Sequence, residues 1–241
     1  MRKGSFRFFL VFGIVLAAAS SACADIQYDN ATSGTVAGNS TITVSHTIGN
    51  FRDRILIVGV EAENGTAPTI TTITYNGVTM TKIDSEENTS TAVFMHVELW
   101  YMLETNLPAA GAHNVVVTAG GTYTDINVGA ISIYNAKQQA PEATSKNSSL
   151  ASDTVATTLT TLTNGDMVVD AVGCGNATAS TVAEATRRYN QLGSTSEGAG
   201  STRVVAAAGS ATNTWTNAGA NRMDTVMAAF APKPADVMAV Q

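Results

Sequence analysis

Cysteine is nearly absent from this sequence: Cys23 and Cys174 are the only two in 241 residues. Cys23 sits in a leader-like N-terminus, so a processed chain keeps one thiol and no internal disulfide framework is available to it. The fold must then hold by burial, for which about 217 residues suffice. Cys174 is expected to act as a small buried hydrophobe. Charge is also sparse, at 13% of residues, with 13 Lys+Arg against 19 Asp+Glu and a net charge of -6. Beyond Arg2-Lys3 at the N-terminus, the longest basic run is Arg187-Arg188. That excludes a phosphate-tracking surface, and with it nucleic acid or an anionic membrane as the partner. Long apolar runs are missing too. The longest, Phe8 to Ala19, falls short of the roughly 20 residues that span a bilayer.

What the N-terminus does contain is a secretory pattern. Arg2, Lys3 and Arg7 precede the apolar run, and Ala22-Cys23-Ala24 supplies a small-x-small cleavage site. Residues 1–24 therefore read as a signal peptide, with a mature start at Asp25 and a secreted or cell-surface destination. Lipid attachment at Cys23 is the alternative, although Ser20-Ser21-Ala22 lacks the usual aliphatic residue ahead of it. Without Arg2, Lys3 and Arg7, 10 basic residues face 19 acidic ones, a formal charge of -9.

The remainder has a strand-and-turn texture rich in Thr, Val, Ala, Asn and Gly. Thr41 to His46 alternates with period two, and Ile55 to Val60 is continuously apolar. Ile73-Thr74-Tyr75, Asn76-Gly77 and Val78-Thr79-Met80 predict a hairpin, because Asn-Gly accepts the two positive φ angles of a type I′ turn. The longest strand is expected over Val93–Leu103, its odd positions facing the core and Phe94, His96, Glu98 and Trp100 facing outward or into a groove. Asn114–Thr118 and Ile126–Tyr134 follow as separate strands, and Asn135 to Asp153 reads as a surface connection.

The second half echoes the first. Ile55–Thr66 lies without gaps over Met167–Thr178, Thr154–Leu159 matches the alternating segment before Ile55, and Val226–Phe230 matches Ile131–Tyr134. Tyr75-Asn76 falls over Tyr189-Asn190 after a two-residue adjustment. Two related halves suit a jelly roll, in which Greek-key units interleave into one two-sheet β-sandwich. The expected organisation is a polar segment at 25–39, a sandwich domain at 40–232 and a tail at 233–241.

Leu56 to Val60, Thr72 to Gly77, Val97 to Leu103 and Gly165 to Asp170 together resemble a jelly-roll-like module of about 200 residues found in bacterial secreted and surface proteins. The resemblance covers roughly Ser40 to Pro232. It implies an extracellular sandwich and carries over no activity or catalytic residue.

Catalytic signatures are scarce. The sequence has no Gly-x-Ser-x-Gly, no phosphate-binding glycine loop and no His-Glu-x-x-His. His46, His96 and His113 lack metal-ligand spacing. Glu61 and Glu63 share a face at a strand end, about 6–7 Å apart, a spacing a glycosidase could use; solvated strand-end charges are the competing reading. Asp84, Glu86 and Glu87 form an acidic loop with the oxygen donors for calcium, or simply a charged loop. The Phe94/His96/Glu98/Trp100 face suits sugar stacking and hydroxyl recognition, unless Trp100 packs in a second core layer. Asp170 interrupts an apolar strand and calls for a partner such as Arg187, Arg188 or Arg203. The expectation is a non-enzymatic binding or structural protein of adhesin, matrix or filament type, with polysaccharide, other surface proteins or itself as partner. A carbohydrate-binding module is the second reading and a polysaccharide-degrading enzyme the third.

Overall fold

The computed structural model of the chain describes residues 25–89, 92–219 and 222–234. The expected signal peptide and Cys23 lie outside the described residues, as does most of the tail. The first half runs β1 (Gln27–Ile48), β2 (Ile55–Asn64), β3 (Ile70–Tyr75), β4 (Val78–Thr79), β5 (Thr81–Thr89), β6 (Phe94–Leu103) and β7 (Gly111–Tyr134). The second runs β8 (Ala143–Ser149), β9 (Thr154–Thr160), β10 (Asp166–Cys174), β11 (Thr181–Val182), β12 (Thr186–Leu192), β13 (Glu197–Val205), β14 (Ser210–Thr216) and β15 (Met223–Phe230). This is the all-β, sandwich-like fold that the alternating pattern predicts. The β3–β4 turn carries φ of 49° at Asn76 and 79° at Gly77, as the Asn-Gly signal requires.

β7 decides the architecture. Val115, Val117 and Ala119 share one apolar core with Ile126, Val128 and Ala130 of the same strand, and with Leu56, Val58 and Val60 of β2. A straight strand sends odd and even residues to opposite faces. β7 therefore folds over between the two trios, at Gly120-Gly121, where its register with β1 jumps from Asn39↔Tyr123 to Thr41↔Thr118. β1 turns beside it at Gly38, whose φ is 63°. Each of these strands thus serves two sheets: an inner one ordered β1-β7-β2-β6-β5 and an outer one ordered β1-β7-β3-β4. Where the two parts of β1 overlie each other, side chains stitch them. Gly49 N donates to Asp29 Oδ2 (2.9 Å), Asn30 Nδ2 to Thr47 O (3.0 Å), and His46 lies between Thr32 and Ser132. Burial pulls His46 down to about 4, so it is neutral there.

The second half repeats this order with β1 and β7 each cut in two: an inner sheet β8-β15-β10-β13-β12 and an outer sheet β9-β14-β11. β2 matches β10 at the offset read from the sequence, and β7 matches β15. The Tyr75/Tyr189 match does not hold: Tyr75 ends β3 in an outer sheet, whereas Tyr189 lies in β12, the counterpart of β5. A local bulge is shared instead, at Lys82/Asp84 in β5 and at Arg187/Tyr189 in β12.

The halves do not interleave into one two-sheet sandwich. Each closes its own jelly-roll-like sandwich, and the two inner sheets then pack face to face. The physical reason is in β2 and β10, which are apolar on both faces and buried along nearly their whole length. The contacts between halves come in mirrored pairs. β1 rests on β12 as β8 rests on β5, β7 touches β12 and β13 as β15 touches β5 and β6, and β2 reaches β13 as β10 reaches β6. β2 meets its own counterpart β10. That pattern is an isologous interface built within one chain.

Two boundaries move. Residues 25–39 belong to the domain: Ile26 is buried, and the strand pairs with β7 from Gln27 onward despite its unpatterned Thr, Ser, Asn and Gly. The connection Asn135–Asp153 contains β8, paired to β15.

At the centre of the inter-half interface lies Tyr189. Its ring occupies a slot walled by glycines: a Cβ on Gly129 would come within 2.0 Å of the ring, and one on Gly200 within 2.3 Å. A Cβ on Gly59 would meet the hydroxyl at 2.4 Å. Gly129→Ala should therefore lower stability by about 3 kcal/mol through overpacking. Combining it with Tyr189→Leu should cost less than the two single changes together. Denaturant midpoints of the four proteins check this, and an unshifted Gly129→Ala midpoint would remove the slot from the argument.

Candidate functional site

The β6 face proposed for sugar is closed. The odd residues Val97 and Leu99 join the core between the halves. The even face is roofed by the outer sheet of its own half, so Trp100 packs in a second core layer, the alternative that the sequence offers to a sugar platform. Trp100 is 7% exposed and packs in that core, and its indole N–H donates to Glu98 Oε2 at 2.6 Å. Lys82 Nζ and His96 Nε2 reach Glu98 Oε1 at 2.6 and 2.7 Å, while His96 Nδ1 lies 3.3 Å from Glu87. Burial pushes the Glu98 carboxyl up, but the hydrogen bonds and charges of His96 and Lys82 outweigh it and hold the group below the usual range. Phe94 is half-buried at the strand start. Lys82, His96, Glu98 and Trp100 form one hydrogen-bonded network, which leaves no open ring face at Trp100.

Asp84, Glu86 and Glu87 lie in the edge strand β5 and not in a loop. Alternation separates them: Asp84 and Glu86 flank Lys146 of β8 at 3.5 and 3.4 Å, while Glu87 turns to His96. Among the described residues no group of three His, Cys, Asp or Glu is placed to hold a metal ion. The first two act as a seam between the halves.

Glu61 and Glu63 also face the other half and are buried. Tyr189 donates to Glu61 Oε1 at 2.9 Å, and Oε2 has no partner. Burial raises this carboxyl well above its usual value. Glu63 pairs with Arg222 at 2.7 Å and accepts from Thr195 Oγ1. Glycines of the second half make the fit possible: Gly198 leaves room for the Glu61 carboxyl and Gly175 for the Arg222 guanidinium, while Gly173 lies against Val97 and Met95. Asp170 is held without arginine, by Ser201, Asn213 and Trp215. Cys174 is buried 3.2 Å from Ser180 Oγ, and burial with Glu197 nearby pushes the thiol well up.

The accessible polar chemistry lies elsewhere, where β1 of the first half meets β12 and β13 of the second. β12 leaves β13 at Thr186↔Thr202, so Arg203, Val204 and Val205 have no strand beside them on that side. The segment 183–185 arches over the gap, and Ile26, Gln27 and Tyr28 form the opposite wall of a cavity of about 590 Å³. A second cavity of about 370 Å³ continues from it past Val204 to Asn164, Gly165 and Pro232. The two share Ile26, Gln27 and Val204 and so make one groove.

Arg188 is the extra residue of the β12 bulge, a device that re-aims a side chain out of the ladder. Its guanidinium sits 3.7 Å from the Tyr28 ring centroid, and Nε donates to Thr202 Oγ1 at 2.7 Å. Burial lowers its pKa from the ordinary arginine value. Arg203 has a buried Nε with no hydrogen-bond partner. Neither arginine is ion-paired within 4.0 Å among the described residues. Glu184 at the rim is held below the usual carboxylate range: burial raises it, and the Thr214 amide and hydroxyl, with Arg203 nearby, more than offset that. In the sequence Arg188 shows as half of a two-residue basic run, and both arginines as possible partners for Asp170. The bulge that frees Arg188 depends on pairing and leaves no local signal.

No known protein family, curated protein or solved structure matches the chain. Among the described residues no helix is long and apolar enough to cross a membrane.

The buried carboxyls predict a pH profile. Burial, with Glu86 and Glu87 nearby, raises Asp224 to about 8, and burial together with the hydrogen bond to Glu142 raises Asp166 to about 7. A raised carboxyl is protonated in the fold, so its contribution is complete below the unfolded pKa near 3.9 and is lost as pH climbs through the folded value. The lowered Glu98 and Asp125 act in the opposite sense, below about pH 4.5. The melting temperature should therefore peak near pH 5 and fall by roughly 5–10 °C by pH 8. Asp224→Asn should flatten that decline in calorimetry; an unchanged slope would mean Asp224 is ionised throughout.

Proposed function

We propose that this is an exported, non-enzymatic binding protein of adhesin or matrix type, and that it holds an extended partner in the groove between β1 and the β12–β13 edge. The observation that carries this reading is the continuity of the two cavities along an uncovered strand end. A run of that shape fits a chain-like ligand better than a compact one. Export rests on the pattern of residues 1–24.

The distribution of polar groups supports binding over catalysis. Hydrolysis by Glu61 or Glu63 would require substrate to enter the packed interface between the inner sheets, where Tyr189, Thr195 and Arg222 already occupy both carboxyls. Sugar recognition by His96, Glu98 and Trp100 would require the outer sheet to open. The groove needs neither movement, and it offers Tyr28, Gln27, Thr186, Asn164 and two arginines as hydrogen-bonding groups.

Val204 lines both cavities and is 53% exposed, so a larger side chain there fills the groove without entering a core. Val204→Trp should leave the thermal midpoint within about 2 °C and reduce binding to polysaccharides on a glycan array by roughly tenfold or more. Binding that survives the substitution, or an array on which the folded wild type retains nothing, would overturn the assignment.

A further inference from the structure

We infer that the partner in this groove is an acidic polysaccharide, its carboxylate or sulfate groups held by Arg188 and Arg203; this rests on the groove being the binding surface. The interface between the halves is nearly symmetric, so the groove has a mate, the junction of β5 with β8. Both junctions carry a cation where one half's first strand meets the other half's edge strand. At the mate, Lys146 lies 3.5 Å from Asp84 and 3.4 Å from Glu86, and donates to Ser85 O at 2.7 Å. Protein carboxylates satisfy that seam.

At the groove they do not. The β5 bulge residue Ile83 packs on the core between the halves, whereas its β12 equivalent is Arg188, turned onto Tyr28. Among the described residues only Nε of Arg188 is hydrogen-bonded to protein, which leaves its two Nη groups without an acceptor there. Arg203 Nε is buried and has no hydrogen-bond partner among the described residues. A buried N–H without an acceptor is costly, and the fork of a guanidinium matches carboxylate or sulfate oxygens. In a chain with net charge -6, the first cavity sets Arg188 and Arg203 against one carboxylate, Glu184, whose two oxygens already accept from Thr214, and the second cavity adds Asp25. A polysaccharide fits better than an acidic peptide because the lining supplies hydroxyl, amide and phenol groups spaced along the groove, as repeated hydroxyls require.

Titration calorimetry with the full mature protein tests this. The probes are polygalacturonate, its methyl ester, dextran sulfate and poly-L-glutamate, applied to wild type, Arg188→Gln, Arg203→Gln and Val204→Trp. Circular dichroism confirms that each variant folds. The expected result is that polygalacturonate or dextran sulfate binds, the ester binds roughly tenfold more weakly or not at all, and each Gln variant loses roughly tenfold. Affinity for the acidic probe should also fall between about 50 and about 150 mM salt. Which of the two anionic polymers binds more tightly distinguishes carboxylate from sulfate. Equal binding of the ester, or acid binding untouched in both Gln variants, overturns the inference, as does poly-L-glutamate binding with the same arginine dependence. If a neutral glycan binds and Val204→Trp removes it, only the charge assignment fails. If nothing binds in a Val204-dependent way, the groove reading fails with it.

Discussion

Everything in this molecule is arranged around one aromatic ring placed where two sheets would otherwise touch. Tyr189 lies flat among Gly59, Gly129 and Gly200, and its hydroxyl donates to a buried carboxyl on the opposite half. Two sheets normally pack about 10 Å apart with side chains filling the space. Here three positions give up their side chains so that one large one spans the gap. Glycine within a strand weakens it by roughly 0.5–1 kcal/mol relative to alanine, so three together are tolerated only where something substantial fills the space they leave. The ring and its hydrogen bond to Glu61 do so, and they lock the halves in register.

That lock is also where symmetry breaks. β2 and β10 are counterparts, yet Glu61 and Glu63 of the first align with Gly173 and Gly175 of the second. A strictly symmetric interface would bring like carboxylates together, which repel, or would leave paired voids. Exchanging Glu for Gly at matched positions avoids both. The same principle reaches the edges, where one bulge carries Ile83 and the other Arg188. Repetition supplies the scaffold, and departures from it supply the chemistry.

Much of the scaffold was legible. Alternation located most of β1's second part, and continuous apolar runs located β2 and β10. The Asn76-Gly77 pair set a turn whose angles match, and the offset between Ile55 and Met167 gave the repeat. What escaped were features set by distant partners. β6 looks half-exposed because one strand cannot report that its own half folds a second sheet over it. β8 and the start of β1 are polar edge strands, whose pairing comes from β15 and β7 and not from their own pattern. Tyr189 could have been suspected: solitary glycines inside apolar strands, as at Gly59 and Gly129, signal close approach by another group. The groove could not, since it exists only where the halves meet.

The fold-over of β1 and β7 has a kinetic consequence. Gln27 pairs with Tyr134, and the strands that close each half are its first and last. Neither sandwich can shut until nearly all of its residues are in place, and the core between them needs both. Such non-local pairing slows folding to the millisecond-to-second range or beyond. The chain spends that interval with long Thr- and Val-rich strands unpaired, so its vulnerability lies in the time before closure and not in the finished molecule.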